Sequence, residues 1–126
     1  IVYQVAGGTG QGVIQSAQQA GHFAIGVDTD QDFLAPGNVL TSMIKRTELA
    51  VYDLCKDIAN GTLKGDSTRF YGLNNGGVDI SPLKYTKSMI PQADLDKIQQ
   101  IKQDIISGKI KVWNVIDQGY PDWFQK

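Results

Sequence analysis

The residues best equipped for chemistry fall in two short clusters. Gly7-Gly8-Thr9-Gly10 stands between an apolar run and a helical pattern, and Asp28-Thr29-Asp30-Gln31, which begins twenty residues after Gly8, closes a second apolar stretch. Glycines admit backbone conformations denied to other residues. They also leave the first N–H groups of a following helix free to donate to a polar ligand oxygen. A carboxylate at a strand end can accept two hydrogen bonds from adjacent sugar hydroxyls. Paired carboxylates can equally serve acid–base catalysis. Here, however, neither a nucleophile with a base partner nor a convincing metal cluster accompanies them. His22 is the only histidine and Cys55 the only cysteine, which removes most zinc sites, most His-based triads and any intrachain disulfide.

These clusters need a scaffold, and the patterning supplies one. Residues 1–6 form a nearly continuous apolar run, as in a parallel strand covered on both faces. Thr9 is a candidate cap for the next helix, whose inner face carries Val13, Ile14 and Ala17 while Gln11, Gln15 and Gln19 face water. Gly21 is placed to end it in the left-handed conformation. Strands are expected over 23–27 and 39–44, with a proline loop between them. Thr47, as cap, opens a helix with Leu49, Tyr52, Cys55 or Lys56, and Ala59 on one stripe, stopped by Gly61. A further strand over 68–73 precedes the turn Asn74-Asn75-Gly76-Gly77. Pro91 introduces a helix with Leu95, Ile98, Ile101 and Ile105 as its stripe, ended by Gly108, and residues 109–115 read as extended. The order β-α-β-β-α-β-α indicates an α/β protein, with both clusters at the carboxyl edge of a parallel sheet, where open α/β sheets bind ligands.

Composition narrows the classes. Twelve basic and thirteen acidic side chains in 126 residues give a net charge near −1, so no strong field favours nucleic acid or anionic lipid. No run of apolar residues is long enough to cross a membrane. The chain opens on Ile1-Val2-Tyr3, which reads as the interior of a strand. The expectation is therefore the C-terminal part of a longer protein.

Three consecutive motifs make the sequence specific. Ala6-Gly7-Gly8-Thr9-Gly10, Gly26-Val27-Asp28-Thr29-Asp30-Gln31 and the stretch Pro36-Gly37-Asn38-Val39 through Ile44-Lys45-Arg46 closely resemble the C-terminal part of the basic membrane protein (BMP) family. Val51-Tyr52-Asp53, Gly72-Leu73 with Gly76-Gly77-Val78, and Ile106-Ser107-Gly108-Lys109-Ile110 extend the resemblance over nearly the whole chain. It implies a type I periplasmic-binding-protein fold of two Rossmann-like lobes, present as a C-terminal fragment. Residues 1–42 would belong to the C-terminal lobe. Residues 43–70 would cross the hinge and add a helix and strand to the N-terminal lobe, and 71–126 would return. The implied activity is capture of purine nucleosides (guanosine, inosine, adenosine) for the permease of an ABC importer. The implied location is the extracytoplasmic face of the cell membrane, held by a lipid on a preceding N-terminal part, or the periplasm. The implied partners include the remainder of the chain, and no cofactor or metal.

Within that resemblance Asp28 binds ribose, Lys45 reaches it, and Gly7 and Gly8 offer N–H groups to its oxygens. Each has a plainer alternative: Asp28 as a turn or helix cap, Lys45 as a surface lysine, the glycines as a tight turn. Lys45 also suits its place physically, since an ammonium there offsets Asp28 and donates to a hydroxyl. Tyr3 can present a ring to a base or sit in the core. Asp30 either contacts ligand or closes an Asx turn. Asn38 and Ser42 are second-rank candidates at the hinge. Cys55 reads as a small buried hydrophobe, His22 as a surface loop residue, and Trp113 and Trp123 as tail anchors. Two rival functions stand beside transport. One is a small-ligand sensor or regulator of the same fold. The other is a Rossmann-type nucleotide-dependent enzyme, whose fingerprint would need a third glycine where Val13 stands.

Overall fold

The structure is a computed structural model and describes residues 1–124. Its backbone divides into two compact units, residues 1–91 and residues from 92 onward.

The first unit is built on one four-stranded sheet in the order β1 (Val2–Tyr3), β2 (Ala24–Asp28), β3 (Val39–Lys45), β4 (Val78–Ile80). The first three strands are parallel and β4 is antiparallel to β3, so the sheet is mixed. Helix α1 (Gly10–Gln19) supplies the crossover connection that the parallel neighbours β1 and β2 require. Its face is set by three-and-four spacing: Ile14 and Ala17 are buried against Ala24, Ala35 and Val39, with Leu34 at the margin. Gln11, Gln15 and Gln19 are exposed, as their spacing requires. Gly21 lies at φ +67 and Gly61, after α2 (Thr47–Asn60), at φ +65, the left-handed conformation that closes a helix.

Several expectations need correction. Strand β1 is two residues long and exposed, not a run of six covered on both faces, because Gln4 turns its buried side chain into a polar network instead of continuing the ladder. Thr9 does not cap α1; its hydroxyl donates back to the Ala6 carbonyl across a 3-10 turn over Gly7–Thr9. Thr47 lies inside α2 rather than capping it. No strand forms over 68–73. There the Asn75 side chain takes the Gly72 N–H and donates to the Phe70 carbonyl, and such local side-chain bonds compete with a ladder.

Helix α2 shows the same competition. The more covered side of its polar positions is Asp53 and Asp57, which receive Tyr71 and Arg69 from the returning chain. Tyr52 and Cys55 therefore lie exposed, and Cys55 is not a buried hydrophobe. His22 is exposed, as expected of a loop.

The second unit contains α3 (Gln92–Ile106) and a single turn, α4 (Val115–Gln118). Gly108 at φ +77 follows α3, and Lys109 reaches back 2.9 Å to Asp104. Residues 109–114 form no strand; Asn114 accepts from the Ile116 N–H and caps α4 instead. Trp113 donates its indole N–H to the Gly119 carbonyl, and Tyr120 stacks on Phe124 with centroids 4.7 Å apart. Trp123 is largely exposed.

Candidate functional site

Parallel pairing fixes which residues share an edge. Because β1 and β2 run side by side in the same direction, the glycine turn after β1 and Asp28 at the end of β2 both emerge at the carboxyl edge of the sheet. Strand β3 is also parallel to β2, with Asp28 opposite Ile44. Lys45 is thus the first side chain past that register position. Its Nζ lies 2.8 Å from Asp28 Oδ1, and both side chains remain about half exposed, at 54% and 50%. The structure therefore brings together the carboxylate and the cation that the sequence singled out, and leaves both accessible. An exposed ion pair of this kind adds little to folding.

Backbone conformation marks the same edge. Asp28 adopts φ +68, unusual for a residue with a side chain, and the Thr29 N–H turns back to the Val27 carbonyl. Gly7 lies at φ +54, which accounts for a glycine there. Gly8 has no such constraint, and a Cβ placed on it would meet nothing within 4 Å. Internal packing therefore gives no reason for glycine at position 8; the space above it is open.

The remaining candidates separate. Asp30 Oδ1 accepts the Asp32 N–H at 2.9 Å, the Asx-turn alternative, with its side chain at an exposed position. Asn38 lies before β3 at the opposite, amino edge, where its carbonyl accepts the Ala24 N–H and its amide reaches the His22 carbonyl at 3.5 Å. Tyr3 ends β1 opposite Ile25, half exposed rather than in the core. Ser42 is fully buried, and its hydroxyl is engaged on both sides.

What the sequence reading missed is the polar network beneath this edge. Asp32, only 2% exposed, accepts hydroxyl protons from Ser42 and Ser81, each at 2.7 Å. Because Ser81 gives its one proton to Asp32, it accepts from the Ser42 N–H and from Thr41 Oγ1, both at 2.9 Å. Ser42 in turn accepts the Gln31 N–H at 3.0 Å. Gln31 Oε1 accepts both the Val27 N–H and the Gln4 amide, and Gln4 Oε1 accepts the Ala6 N–H. No buried side-chain nitrogen or oxygen among the described residues lacks a partner. The available signal was Gln4, a polar residue inside an apolar run, which a strand facing the core should not carry.

Two glycines make room for this network. A Cβ on Gly10 would overlap the Gln4 amide, and one on Gly26 would overlap Ser42 Oγ and approach Gln31 Cβ to 2.9 Å. In a dinucleotide fingerprint the glycine at the position of Gly10 lets a pyrophosphate approach. Here that side is filled by Gln4, which argues against the Rossmann-enzyme reading. No group of three or more potential metal ligands occurs among the described residues.

Comparison with known proteins bears on the family and the fold. The family model described as ABC transporter substrate-binding protein PnrA-like matches residues 1–114. Basic membrane protein D of Borreliella burgdorferi (strain JD1) is 38% identical over 89% of this chain and 33% of its own length. The ABC transporter nucleoside-binding protein BmpA of Lactococcus lactis subsp. cremoris (strain MG1363) is 33% identical over 89% of the chain and 35% of its own. The chain thus spans about a third of the length of these relatives. Among solved structures, an ABC transporter system solute-binding protein from Aeropyrum pernix K1 superposes with a TM-score of 0.76 at 25% identity, covering 88% of this chain and 39% of that one. A transcriptional activator of the comK gene from Bacillus halodurans shares the fold, with a TM-score of 0.75 at 22% identity. The α/β solute-binding-protein architecture, the motifs and the family match converge: the chain belongs to the Bmp family of PnrA-like ABC transporter substrate-binding proteins.

Proposed function

We propose that this chain is the ribose-holding part of an extracytoplasmic protein that captures purine nucleosides for an ABC importer. The single observation carrying this reading is the accessible Asp28–Lys45 pair at the sheet edge that also carries the open Gly7-Gly8 turn. Such a pair offers two acceptor oxygens and a donor cation to vicinal hydroxyls, charge-assisted bonds that suit a sugar. The Gly7 and Gly8 N–H groups complete the set of donors. The nucleoside-binding relative from Lactococcus lactis supports the ligand class. In this reading Asp28 exchanges part of its contact with Lys45 for ribose hydroxyls, binding without covalent chemistry.

The segment's route between lobes belongs to the same proposal. On this reading residues 1–42 belong to the C-terminal lobe, 43–70 cross the hinge, and the chain returns from residue 71. The antiparallel pairing of β4 with the end of β3, at Met43, Ile44 and Lys45, supports a close approach of the outgoing and returning chain there. Nucleoside contacts made only in the closed state shift the lobes toward closure. A lipid anchor and a permease partner complete the picture. A sensor with the same fold is the second reading; the Bacillus halodurans neighbour supports it at the level of fold alone.

The test is calorimetric titration of a full-length protein carrying this segment with guanosine, inosine, adenosine, uridine and ribose. The expected result is one-to-one binding of purine nucleosides, with ribose alone far weaker. Asp28→Ala should cost about 2–5 kcal/mol of binding free energy, the range for truncating one partner of a buried charged hydrogen bond. No binding of any nucleoside, or an Asp28→Ala variant of wild-type affinity, would overturn the reading.

A further inference from the structure

The site's two halves stand on different strands, and a single side chain joins them from beneath. Strand β1 leaves the sheet after Tyr3. Along β2 the backbone polar groups alternate in direction: the Phe23 carbonyl accepts the Val2 N–H on the β1 side, while the Ala24 N–H donates to Asn38 on the β3 side. By this alternation the Val27 N–H points toward the place where β1 has already departed. Gln31 fills that vacancy in the ladder, its Oε1 lying 3.0 Å from Val27 N. The same oxygen accepts the Gln4 amide at 2.8 Å, and Gln4 Oε1 then holds the Ala6 N–H at 3.0 Å. Ala6 immediately precedes Gly7, and Val27 immediately precedes Asp28.

We propose that Gln31 is a positioning residue which, through Gln4, fixes the distance and orientation of the Gly7-Gly8 turn relative to the Asp28–Lys45 pair. Gln31 is itself anchored, since its backbone N–H donates to the buried Ser42 hydroxyl that is locked by Asp32. The relay therefore ties the glycine turn and the end of β2 to one side-chain oxygen, and the residue that carries it to the middle of β3. Removing that oxygen leaves two donors without an acceptor and frees the turn to drift from the carboxylate. A ligand that must bridge both then loses its hydroxyl contacts selectively. The inference rests on the nucleoside reading for its binding arm and is independent of it for its backbone arm.

The experiment uses the full-length protein and three variants: Gln31→Met, the milder Gln31→Asn, whose shorter amide cannot span both partners, and Gln31→Glu, which keeps an accepting oxygen in place. Two readouts are taken. The first is the ratio of affinities for a purine ribonucleoside and its 2′,3′-dideoxy analogue. Gln31→Met and Gln31→Asn should reduce that ratio on the order of tenfold or more, the consequence of misplaced hydroxyl contacts, and Gln31→Glu should restore it. The second is amide hydrogen exchange in the ligand-free protein, expected to quicken at Ala6 as well as Val27 in the first two variants. A role confined to supporting β2 would quicken Val27 alone and lower both affinities in proportion, and that pattern would overturn the proposal. If the wild type binds no nucleoside, the functional reading fails while exchange at Ala6 still decides the positioning inference. Unchanged exchange at Ala6 in Gln31→Met and Gln31→Asn defeats it.

Discussion

A methyl group added at Gly26 would overlap Ser42 Oγ, whereas one added at Gly8 meets nothing within 4 Å. The two glycines therefore predict opposite outcomes. Gly26→Ala should cost about 1–3 kcal/mol of stability, the penalty for overpacking a closed site, read by urea unfolding. Gly8→Ala should leave unfolding within about 0.5 kcal/mol of wild type, yet weaken nucleoside binding in the full-length protein by crowding the space that the proposed reading gives to the sugar. Equal stability loss from both would remove the distinction drawn between them. At this scale the sequence was informative for groups defined by their own chemistry: Asp28 and the glycine turn emerged from type and spacing, and Lys45 from the resemblance of its motif. Asp32 did not, because a third aspartate in an acidic loop looks like solvated surface until the fold closes over it. Its carboxylate serves two serines, 10 and 49 residues downstream, and no local pattern encodes such a partnership. Asp32→Ala leaves the Ser42 and Ser81 protons without their acceptor, and should destabilise by about 2–6 kcal/mol on the basis of roughly 1–3 kcal/mol per unsatisfied buried group, measured by denaturant titration.

Among the elements, helices were the most legible. The ends of α1, α2 and α3 follow from Gly21, Gly61 and Gly108, whose left-handed backbone is a local property. Faces were harder to assign. The α2 stripe through Tyr52 and Cys55 yielded to one in which Asp53 and Asp57 receive Tyr71 and Arg69. The Arg69 guanidinium holds the Asp57 carboxyl below the usual carboxylate range, with the Thr62 hydroxyl adding to the effect. A carboxyl depressed in the folded state contributes stability that is present above its unfolded value, near 3.9, and lost as pH falls through its folded value. The difference in Tm between wild type and Arg69→Gln should accordingly be present at pH 7 and shrink as pH drops below about 4. A difference independent of pH would show that the arginine acts by packing rather than charge.

On the scale of the whole molecule, the chain spans about a third of the length of its relatives, and the proposed reading gives it one side of the nucleoside cleft. The 126-residue chain alone should bind nucleosides far more weakly than the full-length protein, checked by parallel titrations. Comparable affinity would place the entire site on this segment and remove the need for lobe closure. By itself the sequence determined the α/β class, the glycine turn, the strand-end aspartate and the helix stops, because each depends on backbone preferences and periodicity within a few residues. Only the tertiary structure decided that β4 runs antiparallel, that Lys45 meets Asp28, and that Gln4, Gln31, Asp32, Ser42 and Ser81 form one buried network. Those facts depend on which distant segments share a sheet edge, and hydrogen-bonding partners brought together by folding leave no periodic trace along the chain.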